Sequence, residues 1–217
     1  MRKSMFAIYG SGGFGRELIE PAREQLARLR RDPDEIVFID DNAENWGKTS
    51  AGIKILSFDD LKPGDEYVLA IGDGKIRSQL DRKCRNAGLT PTSLHAADAY
   101  FGVDTEIGEG SVFCARTMVT ASARIGRQFQ CNIYSYVAHD CVIGDFVTFA
   151  PRVCCNGTIH IADFAYIGAG AVLKQGTSDK PLVIGEGAIV GMGAVVTKNV
   201  GPGEVVIGNP ATPLKRN

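Results

Sequence analysis

The stretch "VAHDCV IGDFVT FAPRVC CNGTIH IADFAY IGAGAV", residues 137–172, is written in sixes because its residues recur in sixes. The first places are Val, Ile, Phe, Cys, Ile and Ile; the second places are Ala, Gly, Ala, Asn, Ala and Gly. An amphipathic helix repeats its apolar residues at a spacing of about 3.6 and a half-buried strand at 2, so neither has a reason to hold period six. The period reaches back to Phe101 and forward to Leu173, and over that span every first place is Phe, Ile, Val, Cys or Leu. The fifth place is compact except at Phe129. "DKPLV", residues 179–183, breaks the phase, and IGEGAI, VGMGAV and VTKNVG resume it from Ile184. Repetition at a fixed period outranks other local signals.

The physical reading is a solenoid with flat sides. First-place side chains point inward, second places pass close to a corner, and coils stack about 4.8 Å apart with backbone hydrogen bonds running between them. The pattern resembles the hexapeptide-repeat left-handed β-helix, in which three hexads make one triangular coil, over roughly residues 95–210.

Residues 1 to about 90 have a different rhythm. "MFAIYG", "EIVFID" and "EYVLAIGDG" read as strands. "FGRELIEPAREQLARLRR", with an irregularity expected at Pro21, and "KIRSQLDRKCRNAG", closed by Gly88, read as helices. That β-α-β-β-α order implies a small, mainly parallel sheet with flanking helices, a Rossmann-like α/β domain. The expected division is 1–94 for this domain and 95–217 for the all-β helix.

Composition limits the function classes. A formal net charge of −1 over 217 residues gives no footprint for nucleic acid, and no apolar run approaches a membrane span. The start "MRKSMFAIYGSGG" reads as a first strand and not a signal peptide, so a cytoplasmic location is expected. The six cysteines contain no CxxC pair, and the three histidines are scattered, so no metal site is expected. Cys131, Cys141 and Cys155 fall on interior places and read as small reduced hydrophobes.

His139 stands apart. A lone histidine in an apolar run is ordinarily a buried structural residue, but this one occupies the third place of its hexad, where side chains tend to point outward. Asp140 beside it can orient an imidazole and stabilise its protonated form, which suits a general base. His95, at the domain junction, reads as structural, and His160 as an exposed corner residue.

Gly10, Gly12 and Gly15 fit G-x-G-x-x-G between a strand and a helix, with Ser11 and Gly13 in the same turn and Asp40 and Asp41 after the second strand. Alone this would suggest NAD, the pyrophosphate resting at the helix N-terminus and an acid on the ribose. A nicotinamide enzyme also needs a site for a hydride acceptor, and a β-helix offers none. "IGDGKIR", residues 71–77, supplies a second edge with Gly72. Lys75 and Arg77 there read as phosphate partners or, equally for Arg77, as solvated helix residues.

"NIYSYVAHDCVIGDFVTFAP", preceded by "IYGSGGFGRE", resembles the bacterial sugar-nucleotide 4-N-acetyltransferases of the PglD type over nearly the full chain. The resemblance implies a homotrimer, acetyl-CoA in the groove between subunits, and a nucleotide-linked amino sugar destined for a surface glycan, GDP-perosamine being one such substrate. It places the general base on His139 and its acidic neighbour on Asp140. It places coenzyme contacts on Asn132, Gly157, Ala169 and Met192, and the sugar nucleotide on the surface carrying the G-x-G-x-x-G turn. Members can carry a second histidine nine residues after the base; here Thr148 stands in that place, and its hydroxyl or backbone N–H groups alone would meet the acetyl carbonyl. Sialic acid O-acetyltransferases share the architecture, and a non-catalytic nucleotide-sugar module would keep the solenoid without needing His139.

Overall fold

The computed structural model describes residues 3–214. Its N-terminal part is a six-stranded sheet in the order β3-β4-β2-β1-β5-β6, with β1 Phe6–Tyr9, β2 Ile36–Ile39, β3 Thr49–Ser50, β4 Ile53–Leu56, β5 Glu66–Leu69 and β6 Thr90–Pro91. All its ladders are parallel except β3–β4. The strands β1 and β2 are buried along their whole length, as continuous apolar runs in a sheet covered on both faces should be. The hairpin β3–β4 was not anticipated; in I-K-I-L buried Ile53 and Ile55 flank an exposed Lys54, too brief a pattern to stand out.

The first helical pattern forms two pieces, α1 Gly13–Glu17 and α2 Ile19–Arg28, parted at Leu18. Pro21 is the cause: it has no N–H for the Glu17 carbonyl, and its ring crowds that oxygen. The second pattern forms α3 Gly74–Asn86, where Asp73 caps the backbone N–H of Lys75 and Ile76 at 2.8 and 3.0 Å and Gly88 follows with φ 75°.

From Leu94 onward the chain winds as the expected left-handed parallel β-helix. Its three faces are sheets of eight, six and five strands among the described residues. Partners in adjacent coils are eighteen residues apart, as in Gln130↔Thr148, Tyr136↔Cys154 and Val142↔His160. These pairs belong to the first, second and third face. The insertion at 179–183 lengthens one turn, so that Leu173 pairs with Val196. First-place residues fill the core as expected, and first-place Phe113 and Phe149 form a ladder with fifth-place Phe129 between them, centroids 5.6 and 5.0 Å apart. Each such aromatic pair adds about 0.5–1.5 kcal/mol beyond its burial.

One regularity was invisible in the residue types. Every fourth place from Asp104 to Gly170, and again Gly187 and Gly193, has φ between 49° and 71°. Ten of these are not glycine, and each costs about 1–3 kcal/mol of backbone strain. Hydrogen bonds at the corners offset it: the fourth-place N–H donates to the third-place carbonyl of the preceding coil, as in Asp140 to Ala121 at 3.1 Å and Thr158 to His139 at 2.9 Å.

The two parts are joined along α2 and α3. Outward-facing Val112, Gln130 and Thr148 of the first face are buried beneath the α/β domain. A Cβ on Gly74 would overlap the Phe146 carbonyl, so the start of α3 lies directly on a β-helix corner. Buried Asp81 accepts from Tyr67 (2.6 Å), Gln128 (2.7 Å), Arg85 (2.9 Å) and Arg127 (2.6 Å), tying both domains to one carboxylate.

Candidate active site

His139 and Asp140 lie at the corner between the second and third faces. In a strand, adjacent side chains point to opposite sides. Asp140 is in the left-handed conformation with φ 58°, which breaks that alternation. Both side chains therefore emerge together, and His139 Nδ1 meets Asp140 Oδ2 at 2.7 Å. The imidazole is 48% exposed, so it is not packed into the core. With the carboxylate ionised, Nδ1–H donates and Nε2 keeps a free lone pair. Main-chain bonds to the coils on either side fix the dipeptide, through Asp140 N–H and the His139 carbonyl.

Gly157 sits one coil further along the same corner, and a Cβ there would fall 2.6 Å from Nε2 of His139. The missing side chain is what gives the ring its place. Gly157→Ala should displace the imidazole and reduce turnover about 10-fold or more while the fold holds, because misplacement by about 1 Å can cost two orders of magnitude. Steady-state turnover beside a melting curve checks this; full activity would mean that the ring position is irrelevant.

The remaining expected coenzyme residues are elsewhere. Asn132, Ala169 and Met192 mark the corner between the first and second faces; Met192 is 82% exposed. Asn132 Nδ2 donates to Phe149 O at 2.7 Å, and Asn156 does the same to Leu173 O one face later, so Asn132 is part of a coil-to-coil fastening. Thr148 is 3% exposed and its hydroxyl donates to Gly72 O at 2.8 Å. Within one chain it belongs to the domain junction and not to His139's corner.

The glycine turn sits at the carboxyl ends of β1, β2 and β5, where open α/β sheets receive ligands. Gly10 has φ 108° and packs against Ala70 and Ile71, while a Cβ on Gly15 would overlap the Gly10 carbonyl. Those two glycines are required by the fold. Gly12 and Gly13 face open space and have no positive φ, so nothing in the fold demands them. Ser11 donates to Asp40, whose carboxylate also takes Asn42 N–H (2.9 Å) and Asn45 Nδ2 (3.2 Å). Burial raises the Asp40 carboxyl, but these hydrogen bonds outweigh it and the net shift is downward. Asp41 turns to the other side of the sheet, accepting from Tyr9 OH (2.7 Å) and Lys83 (3.2 Å).

Gly72 and Lys75 line a cleft of about 460 Å³ with Thr148, Tyr166 and Ile189, at the junction of the α/β domain and the first face. Arg77 is fully buried beneath it and contradicts both readings made from the sequence. Its guanidinium donates to main-chain carbonyls only: Nε to Gln128 (3.0 Å), Nη1 to Ile71 (2.7 Å) and Gly72 (3.2 Å), Nη2 to Phe146 (2.7 Å) and Val147 (3.2 Å). It is neither solvated nor free for a phosphate; it clamps the two domains together. A buried arginine answered by main-chain carbonyls leaves no pattern of residue types in the sequence to reveal it.

Residues 5–84 match the PglD N-terminal domain family. GDP-perosamine N-acetyltransferase of Escherichia coli O157:H7 is 41% identical, the match covering 99% of this chain and 98% of its own. Among solved structures, WeeI from Acinetobacter baumannii AYE superposes with a TM-score of 0.93 at 47% identity, over 98% of this chain and 100% of its own. The acetyltransferase domain of PglB from Neisseria gonorrhoeae FA1090, in complex with acetyl coenzyme A, gives 0.84 at 28% identity over the same shares. A likeness of that strength over the whole length, joined to the α/β domain and hexad solenoid described above, makes this chain a member of the PglD-type sugar N-acetyltransferase family.

Proposed function

We propose that this chain transfers the acetyl group of acetyl-CoA to the C4 amine of a nucleotide-linked 4-amino-4,6-dideoxy sugar, GDP-perosamine being the substrate of the E. coli relative by its name. The observation that carries the mechanism is the His139–Asp140 pair, an exposed imidazole held at Nδ1 with its Nε2 edge cleared by Gly157. His139 Nε2 takes the proton as the sugar nitrogen attacks the thioester carbonyl; the C–N bond forms, the tetrahedral oxyanion collapses, and the thiolate leaves, taking a proton from the imidazolium. Backbone N–H groups along the coil stabilise the oxyanion. Direct attack needs no acetyl-enzyme, so Cys154 and Cys155 have no covalent part. Thiol release with 4-amino and hydroxyl sugar nucleotides tests the reading. Turnover only with a hydroxyl acceptor would make the enzyme an O-acetyltransferase, and no turnover with any would leave a binding module.

Gly10, Ser11, Gly12, Gly13, Gly15, Asp40, Asp41, Gly72 and Lys75 are assigned to the nucleotide sugar. Because a side chain at Gly13 meets nothing in the free protein, Gly13→Val reports on the ligand alone. It should raise the KM for nucleotide sugar at least about 10-fold through steric conflict with the diphosphate and leave that for acetyl-CoA nearly unchanged. Equal KM values for the nucleotide sugar would remove the turn from the site. Tight NADH binding by the wild type, lost in this variant, would restore the dinucleotide reading.

The coenzyme set lies on two corners of one chain, His139 and Gly157 on one and Asn132, Ala169 and Met192 on another. A groove between two subunits brings such corners together. The second face between them is apolar along its outward row, Tyr100, Met118, Tyr136, Cys154, Val172 and Val195, and an uncharged stripe of this kind suits a second copy. Sedimentation velocity should give three chains per particle; a fully active monomer would refute the arrangement.

A further inference from the structure

The His139 imidazole lies against the main chain of Gly157, where a Cβ would come within 3.0 Å of three ring atoms, Cε1, Nε2 and Nδ1. Whatever fixes Gly157 therefore fixes the ring. The residue after it, Thr158, is held by its N–H, which donates to the His139 carbonyl at 2.9 Å. The residue before it, Asn156, is held through its side chain.

Asn156 is anchored three times. Its Nδ2 donates to the Leu173 carbonyl at 2.7 Å, its Oδ1 accepts from the Tyr136 hydroxyl at 2.8 Å, and its main-chain carbonyl accepts from the Cys141 thiol at 3.1 Å. The Leu173 carbonyl can only accept, which places Nδ2 there and turns Oδ1 to the phenol. Tyr136 is then the donor. Burial, together with the neighbouring Cys154, pushes the phenol above its ordinary range, so the proton stays on oxygen throughout neutral pH. Tyr136 pairs with Cys154 one coil along, and its side chain runs diagonally across the second face to Asn156, two places further on. Asn132 makes the same coil-to-coil fastening to Phe149 O, but among the described residues its carbonyl has no tyrosine donor. Of the two asparagines, the one with the extra tether is the one beside the imidazole.

We propose that Tyr136 is a positioning residue for acetyl transfer, its hydroxyl holding Asn156 and so the Gly157 backbone against which the His139 ring rests. This rests on His139 being the general base, as proposed above. Tyr136 itself touches no reacting atom. A base must meet the attacking amine in a narrow range of geometry, so a loosened ring slows the chemical step without weakening the hold on either substrate. The Cys141 and Leu173 bonds remain when the hydroxyl is lost, and they keep the corner folded.

Tyr136→Phe removes the hydroxyl and keeps the ring, so its melting temperature should stay close to that of the wild type. Steady-state thiol release gives kcat and both KM values for Tyr136→Phe, Gly157→Ala and the double variant. Tyr136→Phe should lower kcat about 5- to 10-fold and leave both KM values within about 2-fold, as expected when only the transition state is affected. Adding it to Gly157→Ala, in which the ring is already displaced, should cost nothing further, because both changes act on one contact. A side chain that only stabilised the coil would lower the melting temperature and leave kcat intact, and that result overturns the proposal. A full second loss in the double variant also overturns it, since the hydroxyl would then act by another route. His139→Asn turning over as fast as wild type would overturn the general base and this role together. A loss at His139 with none at Tyr136 overturns the role of Tyr136 alone.

Discussion

His139→Asn should lower kcat by at least about 100-fold with almost no change in melting temperature. The magnitude is that of losing a positioned general base, typically about 10²–10⁴ in rate. Asparagine can hydrogen-bond to Asp140 but cannot take a proton from an attacking amine. The stability should hold because the ring is half exposed and the corner is pinned by main-chain bonds that the substitution leaves in place, Thr158 N–H to the residue 139 carbonyl and Asp140 N–H to Ala121. A base acts in the transition state and not in ground-state binding, so kcat and kcat/KM should fall together. Thiol release under steady-state conditions, beside thermal melting by circular dichroism, measures both. Near-normal turnover by the folded variant would end the assignment, and a large loss of stability with normal residual activity would return His139 to a structural part.

The features legible in the sequence were those tied to residue type. A core position repeated every six residues must be apolar, so the solenoid and its phase break were on the page before any coordinates. His139 stood out because an imidazole at an outward place has no structural reason to be there, and the structure leaves its ring half exposed at a corner. Its partner Gly157 lies eighteen residues on, one coil of three hexads, though what its missing Cβ spares became clear only in three dimensions. The left-handed fourth places were not legible, since Asp, Arg, Ser, Gln, Tyr, Phe and Thr all occupy them and the conformation is imposed by the corner. Nor was the domain junction. Val112, Gln130 and Thr148 look like any outward-facing residue, and only the docking of the α/β domain buries them. Thr148 stands where the resemblance puts a second histidine, and its burial against Gly72 at the domain junction could not be read from its place in the hexad.

Arg77→Met should cost about 3–5 kcal/mol of stability, the range seen when a buried, hydrogen-bonded charge loses its partner groups. The usual escape, in which well-packed apolar groups replace a buried ion pair at no cost, is closed here. The partners are main-chain carbonyls of Gln128, Phe146, Val147, Ile71 and Gly72, and they remain when the guanidinium goes. A thioether of similar length fills space but leaves buried acceptors unsatisfied, at about 1–3 kcal/mol for each one that water cannot reach. Arg77→Lys keeps the charge but not the planar fork, and should recover only part of the loss. Burial pushes the guanidinium down to about 9, below an ordinary arginine. The charge is still present throughout neutral pH. The stability deficit of Arg77→Met should thus be flat between pH 6 and 8, measured as a shift in urea midpoint. Because Ile71 and Gly72 lead into the cleft beside Lys75, the surviving folded enzyme should also show a raised KM for nucleotide sugar, with that for acetyl-CoA much less affected. A variant as stable as wild type would mean that the Asp81 network and the other junction contacts hold the two domains without Arg77.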